Sequence, residues 1–318
     1  MSEFTNNFKK QGGFQIIKNY WKSGVLFYAL SQLLLTGKSK KSLELLRLGT
    51  QLKVKNKLYK RYIGTIREFD DKWDSTITDK NPTRIVWVCW LQGIENAPEL
   101  IKKCYISLKR NIKDREIVLL SSNNLSNYIH FPEYIEEKYK KGIISNAHYA
   151  DLIRVEILYK YGGTWIDSTV FCSGSNIPKY MMDSPFFVFQ NLKPGSNGAV
   201  DNTSNWFISS YSHHKFIALL RVLLQKYWKD YNYLIDYFFF HHFVSIISDF
   251  YQSEWDKIVP YPNSLPHVFL LRLFEKYNEE EWKSITDICP FHKLSYKRDK
   301  TDMEKQDTYY KHIVLLDV

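Results

Sequence analysis

Residues 146–171 read NAHYADLIRVEILYKYGGTWIDSTVF, and this stretch decides the fold. Leu152, Val155, Leu158 and Tyr159 recur at helical spacing, and Gly162 with Gly163 supplies the left-handed stop that ends a helix. Asp151 and Arg154, three residues apart, then share one helix face. After the glycines, Thr164 to Val170 reads as a strand, whose period of two points Trp165, Asp167 and Thr169 to one side and Ile166, Ser168 and Val170 to the other. A carboxylate at a strand end, facing a helix that offers Asp151 and Arg154, suits a metal-bridged diphosphate with a ribose beside it.

Working outward, the apolar run Arg84 to Leu91 predicts a buried strand, Pro98 to Asn111 a helix and Glu116 to Leu120 a second strand. Strand, helix, strand implies a parallel sheet. Helices are expected over Gln15 to Leu35 and Lys41 to Arg67, followed by a charged link from Asp70 to Asn81. The chain thus divides into a helical N-terminal region, 1–80, and an α/β domain, 81–318. Asn123 to Tyr139 reads as loop and short helix, PFFVFQN (Pro185 to Asn191) as a strand, and KPGSNGAVDNTSN (Lys193 to Asn205) as a polar loop of a length that is often functional. Phe216 to Tyr227 and Tyr233 to Tyr251 look helical, and HIVLL, from His312 to Leu316, reads as a short terminal strand.

The chain has 318 residues, enough for a substantial core, and 16% of them are aromatic, which leaves ring faces for sugars or bases beyond those that merely pack. Cys89, Cys104, Cys172 and Cys289 form no C-x-x-C pair, so neither a zinc site nor a disulfide framework is indicated and a reducing cytoplasm fits. No signal-peptide pattern opens the chain, and no window reaches the ~18 apolar residues expected of a spanning helix. The net charge of +10 is concentrated between Lys38 and Arg67, where ten basic residues face one acid, Glu44. Just before it lies the apolar run VLFYALSQLLL, Val25 to Leu35. Two readings stand side by side: a membrane-surface anchor, or a helix packed on the domain with its charges solvated. Nucleic acid is disfavoured, because no helix-turn-helix, zinc-finger or RNP pattern accompanies the charge. G-x-G-x-x-G, G-x-x-x-x-G-K-[ST], H-E-x-x-H and G-x-S-x-G are all absent.

The run from Ala147 to Thr169, A-x-x-x-D-L-I-R-x-E-x-L-Y-x-Y-G-G-x-W-I-D-S-T, resembles the segment of capsular polysaccharide synthesis proteins and family 32 glycosyltransferases that ends in their Asp-x-Asp motif. Glucosylating bacterial toxins share a looser version. RIVWVCWLQG, Arg84 to Gly93, with the following ENAPELIKKCYISLKRN, resembles that family's first strand and helix, and the similarity extends thinly to Lys297. It implies a GT-A type nucleotide-sugar-binding fold, a Rossmann-like mixed sheet flanked by helices, here with a helical N-terminal extension. The implied enzyme is a hexosyltransferase that moves glucose or galactose from a UDP-sugar, with retention, to a polyprenyl-diphosphate-linked saccharide at the cytoplasmic, inner face of the cell membrane.

By the same resemblance, Asp167 contacts a divalent cation (Mn2+ or Mg2+), the donor ribose, or both. Thr169 stands where the wider family has a second Asp. Asp151 falls on the ribose or sugar, Arg154 on the diphosphate and Trp90 near the base. CPFHKLSYK resembles the family's closing H-K-L-T-x-K segment, so His292 is expected in the metal shell, and Lys293 and Lys297 on phosphate. Asn205 and Trp206 are expected to line the donor sugar and acceptor. His148 and Tyr149 read as weaker candidates at the helix start, and His241 and His242 as core histidines or acceptor contacts. The missing second carboxylate motivates one rival, a catalytically inactive, membrane-associated scaffold of a polysaccharide assembly complex.

Overall fold

The computed structural model describes residues 14–192 and 200–316. The first thirteen residues, and the 193–199 part of the expected polar loop, lie outside the described residues. Three helices open the described chain: α1 (Phe14–Ser23), α2 (Leu26–Thr36) and α3 (Lys40–Lys72). The expected single helix over Gln15 to Leu35 is divided at Gly24, whose φ of 73° belongs to the left-handed region. Ser39 caps α3 by accepting from Ser42 N. Val54, Leu58, Tyr62 and Ile66 recur every fourth residue on α3 and are buried, so this long helix joins the main core.

The central sheet has the order β2-β1-β3-β6-β5. β1 (Ile85–Cys89) pairs in parallel with both β2 (Glu116–Leu120) and β3 (Gly163–Ile166). α4 (Glu99–Asn111) makes the crossover between β1 and β2. α5 (Glu133–Lys140) and α6 (Asn146–Tyr161) precede β3. β6 (Thr203–Ser210) runs antiparallel to β3, and β5 (Phe186–Gln190) antiparallel to β6. Two buried clusters sandwich the sheet: Trp87, Trp165, Val188 and Ile208 face one, while Val86, Val88, Ile166, Phe187 and Phe207 face the other. Both faces are covered, which is why β1 (IVWVC) and β5 (FFVFQ) read as apolar runs rather than alternating ones. The mixed α/β sheet flanked by helices, with a helical N-terminal extension, is the class expected from the sequence.

Four expectations are corrected. The strand expected over Thr164 to Val170 ends at Ile166; Asp167 begins a turn closed by Val170 N donating to Asp167 O at 3.0 Å, and the chain resumes as β4 (Val170–Cys172) in a separate sheet with β7 (Phe291–Lys293). The helix expected from Tyr233 starts later, as Phe239–Phe250 (α8), after α7 (Lys215–Asp230). Asn205 lies on β6, not in the polar loop, because polar Thr203, Ser204 and Asn205 open a central strand that continues through Trp206. His312 to Leu316 belongs to a π-helical turn, Tyr310–Leu316, which packs Ile313 and Val314 into a third cluster instead of pairing as a strand.

The Gly162-Gly163 stop is as tight as its sequence suggests. Gly163 has φ 92°, and a Cβ there would lie 2.4 Å from Ile85 O. Trp87 Nε1 fastens the same turn by donating to Gly162 O at 2.8 Å. Gly163→Ala combines a forbidden φ with a backbone clash and is expected to destabilise by roughly 3 kcal/mol or more, read from the denaturation midpoint. Among the described residues, no helix is long and apolar enough to cross a membrane.

Candidate active site

Four elements converge at the C-terminal ends of the parallel strands, where open α/β sheets take their ligands. β1 leads into Trp90, β3 leads into Asp167, α6 presents Asp151 and Arg154, and β7 returns beside β4 to bring Lys293. Together they line a cleft of about 610 Å3, within the usual range for a small-molecule ligand.

A network of charges forms its floor. Arg154 donates Nη1 to Asp151 Oδ1 and Nη2 to Asp167 Oδ1, the latter at 3.0 Å. Asp167 Oδ1 also accepts from Trp165 Nε1 at 2.9 Å, and Oδ2 accepts from Lys293 Nζ at 2.9 Å. The same ammonium donates to Thr169 Oγ1 at 2.5 Å. Asn205 Nδ2 donates to Asp151 Oδ1 at 3.0 Å, and His148 Nδ1 lies 3.2 Å from Asp151 Oδ2. Asp151 and Arg154 are only 4% and 3% exposed, so this is not the solvated i, i+3 pair that their spacing alone allows. Burial by itself would raise the Asp167 carboxyl, but the charges of Lys293 and Arg154, with hydrogen bonds from Lys293 and Trp165, hold it below the ordinary carboxylate range. Asp167 is therefore ionised at neutral pH.

Trp90, Asp151, Arg154, Asp167, Thr169, Asn205, Lys293 and Lys297 all line this cleft. Asp167 and Thr169 meet there through the turn, not through strand alternation. Trp90 stands edge-on to Tyr296, with centroids 5.6 Å apart, and its buried Nε1 has no partner among the described residues. His292 is not in the cleft. On β7 the period of two sends Lys293 inward and His292 the other way, where it is fully buried beside Phe269 and Trp282 with Nε2 2.9 Å from Ser173 Oγ. The expected metal-ligand role of His292 is therefore corrected to a packing role. Tyr149 is likewise structural, bonded to Glu136 Oε1 at 3.0 Å and stacked on Tyr139.

Of the two neighbouring histidines, His242 is the core one, with Nε2 3.2 Å from Asp236 Oδ1, while His241 lines the cleft with Tyr237 and Phe238. Tyr237 lies in the turn before α8, where helical spacing gives no signal for it. Cys89 also lines the cleft, but burial pushes its thiol up to about 12, so it is no thiolate nucleophile.

The cation implied by the resemblance takes about six oxygen ligands, one or two from carboxylates free to bind it and the rest from water and substrate phosphates. The residues present do not fit it. Asp167 supplies a single carboxylate already engaged by Arg154, Trp165 and Lys293, the Thr169 hydroxyl is engaged by the same lysine, and His292 faces away. Among the described residues, no three His, Cys, Asp or Glu side chains are grouped to hold a metal.

Two buried histidines set an acid limit. Burial pushes His292 down to about 3 and His214, which caps α7, down to about 4. In the unfolded chain both take up a proton near the ordinary 6.5, so unfolding binds protons below that pH and stability falls as pH drops from about 6.5 toward 4. Each contributes a slope of up to about 1.4 kcal/mol per pH unit. His292→Gln should lower that slope by one proton's share, measured by chemical denaturation across pH 4–7; an unchanged slope would contradict the assignment.

Comparisons with known proteins follow the same line. The O-glycosyltransferase braB of Annulohypoxylon truncatum is 29% identical over 174 residues, 48% of this chain and 38% of that protein. The glycosyltransferase afumC of Aspergillus fumigatus is 31% identical over 100 residues, 29% of this chain and 25% of its own. The chain thus matches well under half the length of these curated relatives. Among solved structures, the PaToxG glycosyltransferase aligns over 73% of this chain and 92% of its own at 14% identity and a TM-score of 0.38. Residues 38–313 match the capsular polysaccharide synthesis protein family, so that the match takes in α3, both sheets and every cleft residue named above, and the chain belongs to that family.

Proposed function

We propose that the protein is a glycosyltransferase that moves a hexose, glucose or galactose, from a UDP-sugar to a polyprenyl-diphosphate-linked saccharide in capsule or surface polysaccharide synthesis. The observation that carries this reading is the Asp151–Arg154–Asp167–Lys293 network opening into a cleft of about 610 Å3 at the ends of β1 and β3. Family membership and the glycosyltransferase names of the relatives support it. Trp90 and Tyr296 offer ring faces to the base, Arg154, Lys293 and Lys297 offer positive charge to the diphosphate, and Asn205 with Asp151 offers hydrogen bonds to sugar hydroxyls.

Both cleft carboxylates named here are held by cationic partners, and Cys89 is protonated, so neither serves as a free nucleophile. Retention then proceeds by same-face displacement, with the leaving diphosphate accepting the acceptor's proton. A trapped glycosyl-enzyme adduct would overturn this mechanism. An intact charged cleft also favours an enzyme over an inactive scaffold. Calorimetry with UDP, GDP and ADP tests the donor reading: UDP should bind with micromolar affinity and the others at least tenfold more weakly, and a preference for GDP or ADP would overturn the UDP assignment.

The acceptor reading rests on the N-terminal helices. Trp21, Phe27, Leu34 and Leu35 are 66, 79, 86 and 78% exposed, a set of large apolar side chains next to the basic helix α3. Such a face suits the surface of an anionic bilayer, where each Lys or Arg adds about 1 kcal/mol. Phe27→Glu/Leu34→Glu/Leu35→Glu should abolish flotation with vesicles containing phosphatidylglycerol while leaving UDP affinity unchanged. Equal flotation of the triple variant and wild type would contradict a membrane-facing role.

A further inference from the structure

We propose that Lys293 takes the place of the divalent cation in this site, so that the donor diphosphate is bound and released without a metal. The inference rests on the nucleotide-sugar reading above and deepens it. Lys293 Nζ bridges Asp167 Oδ2 at 2.9 Å and Thr169 Oγ1 at 2.5 Å, the two positions where the resemblance puts a cation's ligands. It is held there by backbone, not by chance of a long side chain: Lys293 is the register partner of Val170 across the β4–β7 pair, and Leu294 N donates to Thr169 O at 2.9 Å. The strand therefore delivers the ammonium to the turn that carries Asp167 and Thr169. Both Lys293 and Asp167 retain about a fifth to a quarter of their side-chain exposure, 20 and 24%, so the pair is reachable from the cleft.

Of the three N–H donors of the ammonium, two are used by Asp167 and Thr169, which leaves one for a phosphate oxygen. Arg154 on the other side of Asp167 supplies the second cationic contact. In the transfer step, the bond from the sugar's anomeric carbon to the diphosphate oxygen breaks with its electron pair going to that oxygen. The acceptor oxygen bonds to the anomeric carbon, and its proton passes to the diphosphate. Lys293 exchanges no proton; it offsets the charge that develops on the leaving group.

The test uses the full chain stripped of metal by chelator. UDP affinity measured by calorimetry should agree within about threefold between EDTA and millimolar Mn2+, and turnover of the UDP-sugar should be equally insensitive. Lys293→Met, which keeps the stem's length, should weaken UDP binding at least tenfold in EDTA, and Mn2+ should not restore it. Adding Thr169→Asp to Lys293→Met rebuilds a two-carboxylate site, whose UDP affinity should then rise at least tenfold with Mn2+. Wild-type binding that requires Mn2+, or a Lys293→Met variant that binds UDP normally in EDTA, would overturn the role of Lys293 and leave the glycosyltransferase reading standing. No nucleotide binding in any condition would overturn both.

Discussion

Replacing Arg154 with leucine should unfold or severely weaken the protein as well as silence it. The guanidinium is 3% exposed and joins Asp151 to Asp167, with its plane 5.1 Å from the Trp165 ring centroid and 5.5 Å from that of Phe240. Without it, Asp167 keeps Lys293, but Asp151 is left buried with only Asn205 and His148 as partners. Breaking a buried pair in this way costs about 3–5 kcal/mol, because the remaining charge is left uncompensated. The loss should appear as a lower denaturation midpoint, and it should shrink in the triple variant Asp151→Asn/Arg154→Leu/Asp167→Asn, which removes the stranded charges. A midpoint for Arg154→Leu equal to wild type would show that the three groups do not form one electrostatic unit.

Asp167→Asn addresses chemistry with less cost to the fold. The amide oxygen can still accept from Trp165 and Arg154, but the charge that holds Lys293 and Arg154 in place is gone. Turnover should fall on the order of 10³-fold, as when a preorganised electrostatic group is removed, while the denaturation midpoint at neutral pH falls by less than that of Arg154→Leu. Asp167 also contributes to acid stability. Its carboxyl titrates below the ordinary range in the folded chain, so its stabilisation is present at neutral pH and is lost as pH falls below about 4. That window lies below the histidine range, so His292→Gln and Asp167→Asn should flatten different parts of the same stability curve.

Much of this centre was legible before any coordinates, because local rules carried it. Helical spacing placed Asp151 and Arg154 on one face, and Gly162-Gly163, with φ of 65 and 92°, could only be a stop. Glu116–Leu120 is a strand with the bounds that its apolar run suggested. What failed depended on partners distant in sequence. Strand periodicity was extended through Asp167 to Thr169, whereas the last rung, Asp167 N to Trp206 O, is set by β6, a strand disguised by its polar start. The resemblance puts His292 in a metal shell and Lys293 on phosphate, both in the cleft, yet a three-residue strand sends neighbours to opposite sides. HIVLL has the composition of a strand but packs as a π-helical turn, with Ile313 and Val314 in the cluster around Tyr309 and Phe269. For the region of α3 the sequence leaves open a membrane-surface anchor or a packed helix with its charges solvated. The stripe from Val54 to Ile66 makes this helix part of the core, with Lys55 drawn into a pair with Asp249 at 2.7 Å.

The most direct test is release of nucleoside diphosphate from a panel of UDP- and GDP-sugars by the wild-type chain and Asp167→Asn, in the presence of a polyprenyl-diphosphate-linked saccharide. One UDP-hexose should be turned over by the wild type and by the variant about 10³-fold more slowly. Equal release by the two proteins, or no release from any donor despite tight UDP binding, would contradict the account.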